Sequence, residues 1–284
     1  MKIGLALSGG GVKGAAHIGV VKALLENNIP IDAIGGTSAG AIVSVLYALG
    51  YTPSEMLKLF NYFAKMILKG SPTYLHPSGK KTLSIQVGGI LSGESILNAV
   101  HEAARYKGKE KIEQLKLPIC IPTVEIEEAE KYVFTNQTRE RQYDIKDVDI
   151  ATAVRASCSY PGVFAPCIYQ NHKFVDGGIL DNVPADEVRN LGMDFVIAVK
   201  FALNKKGKTR GIAGVATRAI DIMFDKRSSD EVASADVVLD IDTKSANVFD
   251  IKKLNDCYQL GYAQTLLAIE QIRKKRKEKE EQNG

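Results

Sequence analysis

The chain has 284 residues, of which 45% are hydrophobic and 25% are charged, and its formal net charge is +4. These values predict a globular protein with a substantial core and argue against a disordered chain. No aromatic residues interleave with the basic run at 273–277, so nucleic acid is not an expected partner. The four dispersed cysteines form no C-x-x-C pair, which favours reduced thiols in a cytoplasmic protein over a disulfide framework or a zinc site.

The first elements alternate between strand and helix. Residues 2–7 resemble a strand, a glycine loop leads into a helix over 12–26, and a short apolar strand at 31–35 precedes a helix over 41–49. This β-α-β order predicts a parallel sheet. Thr52-Pro53-Ser54-Glu55 is a capping box with proline at the first helical position, so a third helix is expected to run to about Lys69.

The remaining elements complete one α/β domain. Residues 70–92, rich in Gly, Ser and Pro, are expected to form an irregular inserted segment. The pattern further predicts strands at 118–126, 131–135, 195–201 and 237–241, a hairpin at 168–175, and helices from 94, at 149–157, at 184–191, within 212–232 and from about 251. We predict a single domain over 1–284: a three-layer α/β/α fold with a mainly parallel central sheet. Within it we expect a motif-bearing core at about 3–200, a C-terminal strand and helices at 201–272, and a basic tail at 273–284.

A serine stands at the turn between the second predicted strand and its helix. Gly36-Thr37-Ser38-Ala39-Gly40 matches G-x-S-x-G, the nucleophile elbow, in which small residues allow a tight turn and the serine hydroxyl stands clear at a helix N-terminus. The motif is short, but its place between strand and helix makes it more specific. Ser38 is therefore the candidate nucleophile for acyl chemistry.

The first predicted strand ends in a glycine-rich loop that includes Gly9, Gly10, Gly11 and Gly14. Consecutive glycines let backbone N–H groups point at an anion, which suits an oxyanion hole. The same glycines fit the dinucleotide fingerprint G-x-G-x-x-G, but the acidic residue that the fingerprint needs at the end of the second strand is missing, because Asp32 lies at that strand's start.

The candidate base is a carboxylate. The four histidines are at 17, 76, 101 and 172, whereas elbow-type hydrolases place the catalytic histidine last in chain order. Asp176 lies at the end of an apolar strand, directly before Gly177 and Gly178. An ordinary aspartate, with a pKa of ~3.9, is a weak base unless its site is dry. A turn-capping role for Asp176 therefore stays open beside a catalytic one.

Together these motifs resemble the patatin-like phospholipase family. The resemblance rests on Gly9-Gly10-Gly11-Val12-Lys13-Gly14, then on Gly36-Thr37-Ser38-Ala39-Gly40, and then on Asp176-Gly177-Gly178, with flanking matches at 156–166 and 180–184. It implies a Ser38–Asp176 dyad without histidine, and an oxyanion hole formed by the N–H groups of Gly10 and Gly11. Gly9, Lys13, Gly14, Gly36, Gly40, Gly177 and Gly178 would support the motifs. Lys13 stands where many relatives have arginine, which leaves the headgroup preference open.

The resemblance also implies a substrate class. The expected activity is hydrolysis of fatty-acyl esters, including phospholipids, through an acyl-serine intermediate and without a metal or an organic cofactor. A lipid transacylase and a catalytically silent lipid-binding protein are the alternatives. The basic run at 273–277 is either a solvated helix end or a contact for anionic lipid at the inner membrane surface. The sequence does not indicate an oligomeric state.

Overall fold

The computed structural model describes residues 1–69, 74–75, 81–82, 91–139, 141–202, 211–244, 246 and 250–283. Most of the segment predicted to be irregular at 70–92 lies outside the described residues. Within it, β3 (Tyr74–Leu75) and β4 (Lys81–Thr82) form a small antiparallel pair.

The described part of the chain is built on a mixed, mostly parallel sheet of nine strands. Its strands are β1 (Ile3–Leu7), β2 (Ala33–Gly36), β5 (Ile119–Glu125), β6 (Glu130–Thr135), β7 (Asp144–Ile145), β8 (Cys167–Tyr169), β9 (His172–Asp176), β10 (Phe195–Phe201) and β11 (Val237–Ile241). The order is β11-β10-β1-β2-β5-β6-β7, and β9 pairs with β5 and with β8. The first five strands of this path are parallel, whereas β5 pairs antiparallel with β6 and with β9.

Helices pack on both faces of the sheet. They are α1 (Ala15–Glu26), α2 (Ala39–Ala48), α3 (Pro53–Lys69), α4 (Glu94–Tyr106), α5 (Ile150–Ser157), α6 (Ala185–Arg189), α7 (Gly211–Glu231) and α8 (Leu254–Asn283). The predicted capping box is present, since Thr52 N–H donates to Glu55 Oε2 at 2.7 Å and Glu55 N–H donates to Thr52 Oγ1 at 3.4 Å. No described helix contains an apolar stretch long enough to cross a bilayer.

Alternation along the central strands creates two cores. Ile3, Leu5 and Leu7 of β1 pack into the larger core with α1 and α2, whereas Ala6 belongs to the smaller core with Val188 of α6. Successive residues of a strand point to opposite faces, so a sheet buried on both faces needs apolar residues at nearly every position. This arrangement confirms the predicted three-layer fold with a mainly parallel sheet.

The basic run at 273–277 lies within α8, which continues to Asn283. Ion pairs four residues apart join Lys274 to Glu278 and Arg276 to Glu280 and support the last turns of this helix. The strand β7 was not predicted, because a two-residue strand carries no readable periodicity.

Candidate active site

Ser38 lies at the sharp turn between β2 and α2. Its backbone has φ +53° and ψ −118°, an unusual conformation for a residue other than glycine, and its side chain is half-buried. The turn is fixed by hydrogen bonds from Thr37 N–H to Leu7 O at 3.1 Å and from Gly40 N–H to Thr37 O at 2.8 Å. The strained turn thus holds the Ser38 hydroxyl at the N-terminus of α2, as an elbow requires.

The two flanking glycines are required by close backbone contact. A Cβ atom on Gly36 would lie 2.4 Å from the carbonyl oxygen of Gly40, and a Cβ on Gly40 would lie 2.4 Å from the carbonyl oxygen of Leu7. Both distances are far below van der Waals contact. The elbow therefore closes only with glycine at both positions.

Asp176 reaches the elbow through the register of β5. One edge of β5 is paired with β6, and the other edge is shared by β2 and β9. On the shared edge, Gly35 pairs with Cys120 and Asp176 pairs with Thr123, while β2 and β9 run in opposite directions. The C-terminal ends of β2 and β9 therefore converge, and Ser38 and Asp176 are brought together although 138 residues separate them.

The carboxyl of Asp176 is fully buried. Its Oδ1 accepts the Gly178 N–H at 2.9 Å, while Oδ2 has no hydrogen-bond partner among the described residues. Burial raises the pKa of Asp176 to about 7, although the Gly178 N–H and the nearby Ser38 hydroxyl each lower it in part. A carboxylate with this pKa is a much stronger base than an ordinary aspartate, and its free oxygen adjoins a serine hydroxyl.

The glycine loop packs against the elbow. A Cβ on Gly9 would lie 3.3 Å from the Cβ of Ser38, and Gly11 adopts φ +57°. The N–H groups of Gly10 and Gly11 donate to no acceptor within the described ranges, whereas the Ser8 N–H bonds to Val199 O at 3.0 Å. Two free donors beside Ser38 fit the expected oxyanion hole.

Three further glycines of the motifs allow close packing around the site. A Cβ on Gly14 would lie 2.7 Å from the Cβ of Ala39, and one on Gly177 would lie 2.3 Å from Pro122 O. A Cβ on Gly178 would lie 2.6 Å from the ring of Phe224. At all three positions a side chain would collide with a neighbouring segment, so glycine allows the segments around the site to pack closely.

Lys13 lies beside this loop rather than in solvent. Its Nζ is 5.5 Å from the centroid of the Phe201 ring, and Phe201 also fills the space where Gly10 would carry a Cβ. Burial lowers the pKa of Lys13, and the carboxyl of Asp221 partly offsets this effect. A half-buried cation therefore stands next to the proposed anion site.

His17 is buried behind the loop. Its Nε2 lies 2.8 Å from Ser8 O, which can only accept, so Nε2 carries the proton. Burial lowers the pKa of His17 to about 4, which keeps the ring neutral. His17 therefore supports the loop backbone.

Sequence reasoning missed several residues that hold the site. Ser157 Oγ accepts the Ser38 N–H at 3.0 Å, and the carboxamide Oδ1 of Asn182 accepts the Gly9 N–H at 3.2 Å. Both residues lie in segments that flank the motifs, but their partners are more than 100 residues away and leave no local pattern.

Arg155 is a buried cation behind Asp176. Its guanidinium donates to Ser92 O, to Ala165 O at 2.7 Å and to Ser159 Oγ, and the backbone oxygen of Ser159 accepts the Asp176 N–H at 3.0 Å. Arg155 therefore ties three loop segments to the backbone of Asp176. No group of three or more possible metal ligands occurs in the part of the chain that the structure describes.

Comparison with known proteins gives a consistent result. The family model for patatin-like phospholipase matches residues 5–189. An uncharacterized NTE family protein of Mycobacterium tuberculosis is 32% identical over 209 residues, which cover 74% of this chain and 51% of that protein. A lysophospholipase of Pyricularia oryzae is 30% identical over 200 residues, which cover 69% of this chain and 12% of that protein.

A solved structure shares the fold. The crystal structure of VipD from Legionella pneumophila aligns with a TM-score of 0.53 at 16% identity, over 95% of this chain and 67% of that chain. Fold and elbow together define an α/β protein with a serine at a strand-to-helix turn. The chain belongs to the patatin-like phospholipase family, and it spans about half the length of the mycobacterial relative. Membership of this family supports a lipid acyl hydrolase.

Proposed function

We propose that the protein hydrolyses fatty-acyl carboxylic esters through a Ser38–Asp176 dyad. The observation that carries the proposal is the buried carboxyl of Asp176, whose Oδ2 has no partner among the described residues and which adjoins the Ser38 hydroxyl. A base that titrates near neutral pH, a hydroxyl at an elbow and two free N–H donors together supply what ester hydrolysis needs.

The reaction follows from these positions. Ser38 Oγ attacks the ester carbonyl while Asp176 takes the hydroxyl proton, and the N–H groups of Gly10 and Gly11 stabilise the oxyanion. Collapse of the tetrahedral intermediate expels the alcohol, which takes the proton from Asp176 and leaves an acyl-serine. Asp176 then deprotonates a water molecule that attacks the acyl group, and Ser38 leaves with a proton as the fatty acid is released.

Lysophospholipids and phospholipids are the proposed substrates, because one relative is named a lysophospholipase and the family is named for phospholipids. We also propose a cytoplasmic location with peripheral contact at the membrane surface. The four free cysteines, all buried, support a reducing compartment. Exposed Val215, Ile222 and Met223 of α7 offer an apolar surface for lipid.

Release of fatty acid from lysophosphatidylcholine and from diacyl phospholipid vesicles tests the proposal. We expect turnover by the wild type and by Ser44→Ala, a control at another serine of α2, and none by Ser38→Ala. Vesicle binding without release would favour a silent lipid-binding protein. Transfer of the acyl group to an added alcohol in place of water would favour a transacylase.

A further inference from the structure

Helix α7 lies across the loop that follows Asp176. One stripe of the helix is formed by Asp221, Phe224, Ser228 and Glu231, at spacings of three, four and three residues. Phe224, Ser228 and Glu231 face this loop, and Asp221 faces Tyr160. Asp221 Oδ1 accepts from Tyr160 at 3.3 Å, and Glu231 Oε2 accepts the Val183 N–H at 2.9 Å. Spacings of three and four place these residues on one face of a helix.

Ser228 joins this stripe to the glycine loop. Its hydroxyl donates its single proton to Phe224 O at 2.7 Å, so the oxygen accepts from Asn182 Nδ2 at 2.9 Å. On its other side, Asn182 accepts the Gly9 N–H with two oxygens, its side-chain Oδ1 and its backbone oxygen, each at 3.2 Å. Ser228 and Asn182 are 3% and 7% exposed, so little water is at hand to replace a lost partner.

The direction of these hydrogen bonds fixes the Asn182 amide. A carboxamide has one acceptor and two donor protons, and turning it over exchanges their places. If Asn182 turned over, its NH₂ group would face the Gly9 N–H, and two donors would oppose each other. Because the Ser228 hydroxyl donates its proton to Phe224 O, its oxygen accepts from the Asn182 NH₂ group. This keeps Oδ1 of Asn182 directed at the Gly9 N–H.

We propose that Ser228 is a positioning residue that sets the oxyanion loop through Asn182. Gly9 directly precedes Gly10 and Gly11 and packs against Ser38. Loss of Oδ1 would leave the Gly9 N–H with the Asn182 backbone oxygen as its one acceptor in Asn182, and the loop that carries the two donors would then shift relative to the reacting carbonyl. This inference rests on the proposed ester hydrolysis at Ser38.

Steady-state kinetics of Ser228→Ala on a p-nitrophenyl ester test the inference. We expect kcat to fall between about tenfold and about a hundredfold, because small displacements of oriented groups are costly in rate. We expect KM to change little and the acid limb of the pH profile to stay in place, since Asp176 is untouched. Ser228→Thr keeps the hydroxyl and should recover most of the rate, and Ser229→Ala, at an exposed neighbour, should behave as the wild type.

The outcomes separate this inference from the function on which it rests. If the wild type does not turn over the ester, the proposed function fails. If the wild type is active and Ser228→Ala matches it, only the role of Ser228 fails. A purely structural role would lower the melting temperature of Ser228→Ala without changing kcat, and it would overturn the inference in the same way. Loss that Ser228→Thr does not recover also contradicts it.

Discussion

The Ser38 hydroxyl and the Asp176 carboxyl meet because β2 and β9 end against each other on one edge of β5. β2 runs parallel to β5 and β9 runs antiparallel to it, so Ser38, which follows β2, lies next to Asp176, which ends β9. Asp176 has no exposed surface, whereas Ser38 is half-buried. Sheet topology thus brings together the proposed base and the proposed nucleophile, and of the two the proposed base is the more deeply buried.

The pH dependence of turnover should report Asp176. Burial raises its pKa to about 7, and only the ionised carboxylate can accept the Ser38 proton. We therefore expect kcat/KM to fall as the pH drops below about 7, with one proton taken up. Measurement from pH 5 to pH 9 checks this. His172→Gln should leave the profile unchanged, whereas an acid limb below pH 5 would contradict a buried aspartate base.

Asp176→Asn should abolish turnover and stabilise the fold at neutral pH. The folded pKa is raised, so the wild type loses stability as the pH rises from ~3.9, the value in the unfolded chain, to about 7. The loss amounts to on the order of 4 kcal/mol at pH 8. Asparagine carries no charge, and its Oδ1 keeps the acceptor for the Gly178 N–H.

Urea unfolding at pH 4 and at pH 8 measures this effect. The difference in unfolding free energy between Asp176→Asn and the wild type should be several kcal/mol more favourable to the variant at pH 8 than at pH 4. An equal difference at both pH values would show that the carboxyl does not titrate in the folded protein as its burial requires.

Alanine substitutions at two glycines with similar backbone conformations test the anchoring role of the buried Arg155. Gly93 and Gly108 have φ +76° and φ +65°, but a Cβ on Gly93 would lie 2.1 Å from Arg155 Nε, whereas a Cβ on Gly108 would meet nothing within 4 Å. Gly108→Ala should cost about 1 kcal/mol of backbone strain. Gly93→Ala should cost roughly 2 kcal/mol more, because it also disturbs hydrogen bonds of a buried guanidinium.

Ester turnover should also distinguish Gly93→Ala from Gly108→Ala. Displacement of Arg155 loosens Ser159, whose carbonyl oxygen holds the Asp176 N–H, so Gly93→Ala should also lower kcat. Gly108→Ala should keep it. Thermal unfolding and ester turnover of the two variants provide both measurements, and equal effects at the two positions would contradict the anchoring role of Arg155.

The fold was largely predictable because its signals are local. Apolar runs predicted the strands Phe195–Phe201 and Val237–Ile241 at the bounds that the structure has, and the capping box at Thr52 predicted the start of α3. The hairpin predicted at 168–175 is formed by β8 and β9, and its turn has Gln170 and Asn171 at φ +49° and φ +67°. These features depend on neighbours in sequence and are therefore visible in it.

The site was predictable only in its motif residues. Ser38 and Asp176 lie next to glycines that mark tight turns and can be recognised in the sequence. The strand order that brings the two residues together depends on pairing between distant parts of the chain. The pairs Ser157–Ser38, Asn182–Gly9 and Ser228–Asn182 have no local signature, because each joins segments that are distant in sequence through one or two hydrogen bonds. The raised pKa of Asp176 follows from burial, which only the folded chain defines.

Covalent labelling tests the central claim most directly. The protein is treated with a fluorophosphonate, which reacts with activated serine hydroxyl groups, and the adduct is mapped by mass spectrometry of peptides. We predict one adduct, on Ser38, that is lost in Ser38→Ala and kept in Ser44→Ala. An adduct at another residue, or labelling that persists in Ser38→Ala, would contradict a Ser38 nucleophile.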